Sequence, residues 1–179
     1  RWHPSVQERM FAGTLADPST GKPSVYMSNS NGESGTWNII SSNSSIYGNV
    51  VCIQVHRDFP DEVWIGTDKG LWRTKDNGAT WSEQLFASQI NGVYQMLFKK
   101  DRNGNLMAFV TTGNLYKIEN DCNNIVDLTN TFGYYSGYGS EIIGLQFAKN
   151  DENQIVVSRM GNETRHTSND GAAWSDRYE

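Results

Sequence analysis

The densest set of side chains with recognisable chemistry is NTFGYYSGYGSE, residues 130–141, where Phe132, Tyr134, Tyr135 and Tyr138 stand among glycines. A tyrosine ring offers an apolar face and a polar tip, a combination that suits stacking on a sugar. The competing reading puts two of the four rings in the core and makes the loop a spacer. Metal chemistry finds little to work with. His3, His56 and His166 lie far apart with no ligand spacing. DRNGN (101–105) echoes part of a calcium loop but lacks the bidentate glutamate at its end, and a hairpin turn explains it. We expect neither a metal nor a cofactor.

The composition sets the frame for these residues. A chain of 179 residues is one domain by its length and can bury a real core. Aromatic residues at 12%, with 17 glycines and four prolines, point to short strands and tight turns. The net charge of −5 is spread along the chain without the basic stripe that phosphates demand, which argues against nucleic acid. No apolar run approaches the ~18 residues of a membrane-spanning helix, and no signal peptide is visible. Cys52 lies in the apolar run VVCIQV and Cys122 in the polar run ENDCNN, so two unpaired thiols, one of them in the core, are expected.

What positions the loop is a repeat. RTKDNGATWSE (73–83), HTSNDGAAWSD (166–176) and MSNSNGESGTWNI (27–39) each run from turn formers to a tryptophan. Trp37 and Trp81 are 44 residues apart, and Trp81 and Trp174 are 93 apart, close to twice that spacing. A degenerate copy fills the gap: LYKIENDCNNIVDL (115–128) aligns without gaps on LWRTKDNGATWSEQ (71–84), with Ile125 in the tryptophan position. Upstream of each box lies an apolar segment (MFAGTL, VWIGTDKG, MAFVTTGN, IVVSRMGN), and upstream of three of these an alternating one (CIQVH, QMLFK, GLQFA). NIISS, SEQLF, VDLTN and SDRYE follow the boxes. The unit is therefore four antiparallel strands of about five residues with period-two alternation, the pattern of a β-propeller blade. The fold class is all-β, a single partial propeller over 1–179 with about four blades, at roughly 1–41, 49–86, 93–129 and 142–179. In each box the Ser or Thr hydroxyl and the Asp or Asn side chain can take up the turn's own N–H groups. Asp76 and Asn169 supply the acceptor, Gly32, Gly78 and Gly171 the unusual backbone, and Trp37, Trp81 and Trp174 a ring that staples the turn to its blade.

TKDNGATW resembles the Asp-box, Ser/Thr-x-Asp-x-Gly-x-Thr-Trp, of the bacterial neuraminidase repeats. The first box departs from it with Ser30 at the Asp position and two extra residues. Nearly the whole chain shares the likeness, and its blades look most like those of xyloglucanases (glycoside hydrolase family 74) and sortilin-like propellers. The resemblance implies seven blades, which at this period need roughly 310–320 residues, so this chain is expected to be part of a larger propeller. It also implies a ligand face made by the links between strands two and three and between successive blades, opposite the boxes. Asp68 in GTDKG sits where xyloglucanases carry a catalytic aspartate, although an Asp bonding its own turn explains it as well. An inverting glycosidase needs a second carboxylate ~6.5–9.5 Å away, and Glu141 and Glu163 are the acids on that face. Arg159, at the end of a second strand, is the arginine placed to meet an anionic ligand. No Phe/Tyr-Arg-Ile-Pro motif is present, which speaks against a sialidase.

The functional expectation is a secreted or periplasmic binding scaffold with glycan as ligand. A xyloglucanase-like hydrolase fragment and a protein-binding assembly module are the alternatives. Asn43-Ser-Ser and Asn162-Glu-Thr would be glycosylation sites only in a eukaryotic secretory protein. Alignment of the first two units sets Gly13 opposite Gly66 and Arg1 opposite Gln54. The first blade then lacks its innermost strand, and Arg9–Leu15 is expected to be paired on that side by the remainder of the propeller or by another chain.

Overall fold

The computed structural model describes residues 1–42, 44–121, 123–132, 141–148, 151–160 and 163–175, the side chain of Glu152 excepted. The chain forms two compact units, Arg1–Val93 and Tyr94–Glu179. In the first, β1 (Met10–Ala16), β2 (Pro23–Ser28) and β3 (Asn38–Ile39) make one antiparallel sheet, and β4 (Val50–His56), β5 (Phe59–Thr67) and β6 (Gly70–Thr74) a second. In the other, β7 (Gln95–Lys100), β8 (Leu106–Thr111), β9 (Leu115–Glu119) and β10 (Asn124–Asp127) make a four-stranded sheet. A single helical turn, α1 (Thr129–Phe132), follows, and then β11 (Ile142–Ala148), β12 (Asp151–Arg159) and β13 (Glu163–Thr167). Strand order is sequence order in every sheet, as a blade requires.

The middle strands depart from simple alternation. Val63 to Thr67 and all of β8 are buried. Each unit has its own apolar cluster between its two sheets. Phe11, Val25, Ile46, Ile65 and Trp72 meet in the first. Phe109, Leu128, Phe132, Leu145 and Val157 meet in the second. Gln95 ties β7 to β11 by imitating a strand backbone: its Nε2 donates to Leu145 O (2.7 Å) and its Oε1 accepts from Leu145 N (2.9 Å).

Among the described residues the expected fourth strand is complete only in the third sheet, and in the fourth unit it falls on SDRYE, of which Ser175 alone is described. The first sheet has the two residues Asn38–Ile39. In the second, SEQLF bonds β6 through Ser82 N to Arg73 O (2.9 Å) and Leu85 N to Leu71 O (2.8 Å) but forms no regular strand, and a serine beside the tryptophan gives the reason. Ser82 Oγ accepts the Arg73 N–H (3.1 Å), where a paired strand would offer a carbonyl. Ser175 Oγ does the same for His166 N (3.0 Å) in the fourth sheet. The third sheet carries Val126 at this position, which has no hydroxyl to compete, and Val126 pairs with Lys117 along a regular β10.

The inner edge of the first sheet corrects an expectation. Trp2 pairs antiparallel with Met10. Arg1 exchanges both backbone bonds with Phe11 (2.6 and 2.8 Å), and His3 N donates to Arg9 O (2.9 Å). Met10 and Phe11 are thus paired by residues of this sequence. The register itself stands, since Trp2 faces Met10 as Val55 faces Val63 in the second sheet. His3 is buried and locks the segment: its Nδ1 accepts from Ser5 N and Val6 N, and its Nε2 donates to Pro60 O (2.6 Å).

The boxes close as their spacing predicts, and then do more. Thr74 Oγ1 accepts from Gly78 N (2.8 Å) and donates to Asp76 Oδ1 (2.7 Å). Asp76 also accepts from Thr80 N (2.8 Å) and Thr80 Oγ1 (2.6 Å). Thr167, Asn169, Gly171 and Ala173 repeat the scheme without the last bond. In the first box Ser28 Oγ meets Thr36 Oγ1 directly (2.7 Å), and Ser30 is bypassed. The tryptophans correct the picture of a staple within one blade. Trp37 does fold on its own turn, with Nε1 donating to Gly32 O (3.1 Å). Trp81 Nε1 donates to Ile40 O of the preceding sheet (2.7 Å), and Trp174 Nε1 to Thr131 Oγ1, just after the preceding sheet's last strand (3.2 Å). Gly78 (φ +90°) and Gly171 (φ +83°) let the turns approach. A Cβ there would stand 2.6 Å from Ile40 Cβ or 2.5 Å from Leu128 Cδ1. Basic side chains support the same seams on the box face: Arg9 Nη1 donates to Asn77 Oδ1 (3.1 Å), and Lys99 Nζ to Asp170 Oδ1 (2.7 Å).

Two outcomes follow from the boxes. Gly104→Ala meets open space at φ +84° and should cost only the left-handed strain, about 1 kcal/mol. Gly78→Ala adds a clash with Ile40 and should cost about 2–4 kcal/mol in urea unfolding; equal costs would deny the seam its role. Hydrogen bonds from Thr80, then Thr74, hold the Asp76 carboxyl at about 2. A carboxylate depressed in the folded state stabilises fully above its unfolded value near 4 and loses that as pH falls through about 2. Asp76→Asn, the residue already used at Asn169, should therefore make urea midpoints fall less between pH 5 and pH 2.5 than in the parent.

Candidate functional site

The links that were assigned to one face do meet there. In the first unit Asp68, between β5 and β6, reaches Asn49, between the two sheets. Asp68 Oδ1 accepts from Asn49 N (2.8 Å), Oδ2 from Asn49 Nδ2 (2.9 Å), and Asp68 N donates to Asn49 O (3.1 Å). Asn49 Oδ1 in turn accepts the N–H of Ala16 in the first sheet (2.9 Å). Asp68 is exposed, but both its oxygens are engaged by Asn49 at the start of the same blade, not in its own turn, and Asn49 carries the link to the first sheet. Beside it Tyr47, an exposed residue at 44%, stands edge-on to Trp72 at 5.4 Å and donates its hydroxyl to Gln84 Oε1 (3.3 Å).

In the second unit the acids and arginine of this face behave differently from one another. Glu141 is exposed, and its carbonyl accepts Met160 N (2.8 Å). Glu163 and Arg159 are buried as a pair, with Arg159 Nη1 donating to Glu163 Oε2 (2.9 Å). Arg165 Nε donates to Glu163 Oε1 (2.8 Å). Both guanidinium groups lie over the Phe132 ring, at 4.8 and 5.6 Å, and Trp174 meets the same ring edge-on at 5.0 Å. Phe132 is wholly buried, so one of the four aromatic residues of its segment belongs to the core. Tyr134, Tyr135 and Tyr138 lie outside the described residues, as do Asn43, Cys122 and Asn162.

Sequence reasoning missed Arg165 and Asn49. Arg165 had a signal: its position two before the box threonine or serine is Tyr26, Trp72 and Tyr116 in the other units, so an arginine breaks an aromatic column. Asn49 had none, since its role depends on two blades meeting. Cys52 is a free thiol whose Sγ lies 2.6 Å from where a Cβ on Gly66 would stand, and burial pushes it up to about 12. It is packing, not a nucleophile. No group of three or more His, Cys, Asp or Glu among the described residues could hold a metal ion. No helix there is long and apolar enough to cross a membrane.

A scan against protein-family models finds no match, and neither does a search of curated proteins. Solved structures do match. An ancestral GH74 enzyme superposes with a TM-score of 0.66 at 16% identity, over 96% of this chain and 24% of that one. The GH74 enzyme of Niastella koreensis gives 0.59 at 16%, over 96% and 28%. YCF48 bound to D1 peptide gives 0.54 at 15%, over 87% and 47%. The chain is built of β-propeller blades. It resembles the GH74 and YCF48 propellers and spans a quarter to a half of the length of those chains.

The role of Asp68 is open to a double-mutant cycle. Asp68→Ala and Asn49→Ala should each cost about 1 kcal/mol of stability. Together they should cost clearly less than the sum, because both remove the same tie. Full additivity would free Asp68 from this structural duty.

Proposed function

We propose that this propeller segment works as a binding scaffold outside the cytoplasm, extracellular or periplasmic, with glycan as its ligand class. The observation that carries the reading is how the loop face divides its residues. Two of the three carboxylates that could do acid chemistry hold the scaffold together, Asp68 gripping Asn49 and Glu163 gripping Arg159 and Arg165, while Glu141 stays exposed. Tyr47 in the first unit is left exposed to meet a ligand, and the sequence offers Tyr134, Tyr135 and Tyr138 as further rings. Likeness to the GH74 enzymes agrees with a sugar ligand, and it also favours a second reading, a fragment of a xyloglucanase-like hydrolase. The peptide complex of YCF48 favours a third, a protein-binding module using the same face.

Affinity electrophoresis in gels containing neutral β-glucan tests the proposal. The parent protein should be retarded, and Tyr134, Tyr135 and Tyr138 changed together to alanine should weaken binding roughly 100-fold, at on the order of 1 kcal/mol per ring. Retardation that survives the triple change would remove these rings from the reading. Cleavage of the glucan would move the assignment to the hydrolase.

A further inference from the structure

We infer that Arg165 is the recognition element of an anion subsite, and that the ligand is a glycan bearing carboxylates, a polyuronate. The inference rests on the glycan reading above and adds to it the charge of the sugar. Arg165 Nε is fixed on Glu163 Oε1 at 2.8 Å, and the guanidinium carbon lies over the Phe132 ring, 5.6 Å from its centroid. Phe132 is in turn wedged by Trp174 and by Arg159. The side chain is 26% exposed, and the Nη1 and Nη2 groups have no acceptor among the described residues. An arginine bonded through Nε alone presents its Nη1–Nη2 edge, the geometry that takes a carboxylate with two parallel hydrogen bonds.

The ion pairs point the same way. Among the described residues Arg159 and Arg165 both pair with the carboxylate of Glu163. Arg159 is buried against it at 2.9 Å, and Arg165 is the more exposed of the two. The whole chain is at −5, so no diffuse field draws an anion in. A fixed fork acts at contact range, within the ~8 Å over which physiological salt leaves charges unscreened. Sequence position also argues for a purpose. At this place the other three units carry Tyr26, Trp72 and Tyr116, which pack without any buried charge to satisfy.

The test compares three polymers in affinity gels: polygalacturonate, the same polymer with its carboxyls reduced to alcohols, and neutral β-glucan, with polyglutamate as a fourth lane. Polygalacturonate should retard the parent more than its reduced form does. Arg165→Met should lose that difference by about tenfold or more, the worth of a charged hydrogen-bonded pair, with retardation by β-glucan unchanged. Arg165→Lys keeps the charge without the fork and should lose most of it too. An unchanged thermal midpoint in the lysine variant guards against misfolding. Equal retardation by the reduced polymer, or no effect of either variant, overturns the inference and leaves the glycan reading standing. Retardation by polyglutamate alone, abolished in Arg165→Met, overturns the glycan assignment. No retardation by any polysaccharide overturns both readings together.

Discussion

A left-handed glycine set against the last aliphatic residue of the preceding blade is the contact on which the rest depends. Gly78 against Ile40 and Gly171 against Leu128 occupy equivalent places, and at each the box turn approaches closer than any Cβ allows. The neighbouring tryptophan then reaches over the same seam to donate a hydrogen bond, to Ile40 O or Thr131 Oγ1. A single blade cannot bury its own face. The box solves this by spending its rigid turn on the neighbour. Its internal hydrogen bonds matter because they hold glycine and indole at the angle the seam needs.

Rigidity on the box face has a consequence on the other. Each unit joins its two sheets by an apolar cluster, and the polar ties gather at the two ends of that cluster. At one end Arg9 and Lys99 reach the left-handed residues Asn77 and Asp170 of the next box. At the other, Asp68 and Asn49 span the two sheets of the first unit, and Arg159, Glu163 and Arg165 gather over Phe132 in the second. The two units therefore solve one packing problem in different chemistry. Trp72 fills the inter-sheet space with an indole, flanked by Tyr47. Arg165 sets its guanidinium over Phe132 in the matching place. A planar cation can replace an aromatic ring in such a slot because both stack. Only the cation brings hydrogen-bond donors with it.

The serine after the box tryptophan shows how a small local choice edits the fold. Its hydroxyl competes with the backbone for one N–H at Ser82 and Ser175, so Ser82 loosens the outermost strand of the second sheet, where Val126 keeps that of the third. Nothing in the period-two alternation of SEQLF announces this.

The sequence by itself determined what depends on neighbours along the chain. The boxes, their glycines and hydroxyls, the strand order within each sheet and the division into two faces all follow from bonds made within about ten residues. So does the register that sets Trp2 against Met10. The tertiary structure alone decided what depends on which blade lies beside which. It turned Trp81 and Trp174 toward the preceding sheet and set Asn49 Oδ1 on Ala16 N of the first sheet. It buried the Arg159 charge against Glu163, where the residue's place at a strand end suggested a group open to solvent. The reason is physical. A hydrogen bond inside a turn is fixed by spacing, whereas a charge or an indole takes its partner from whatever surface packing brings within reach, and no spacing encodes that.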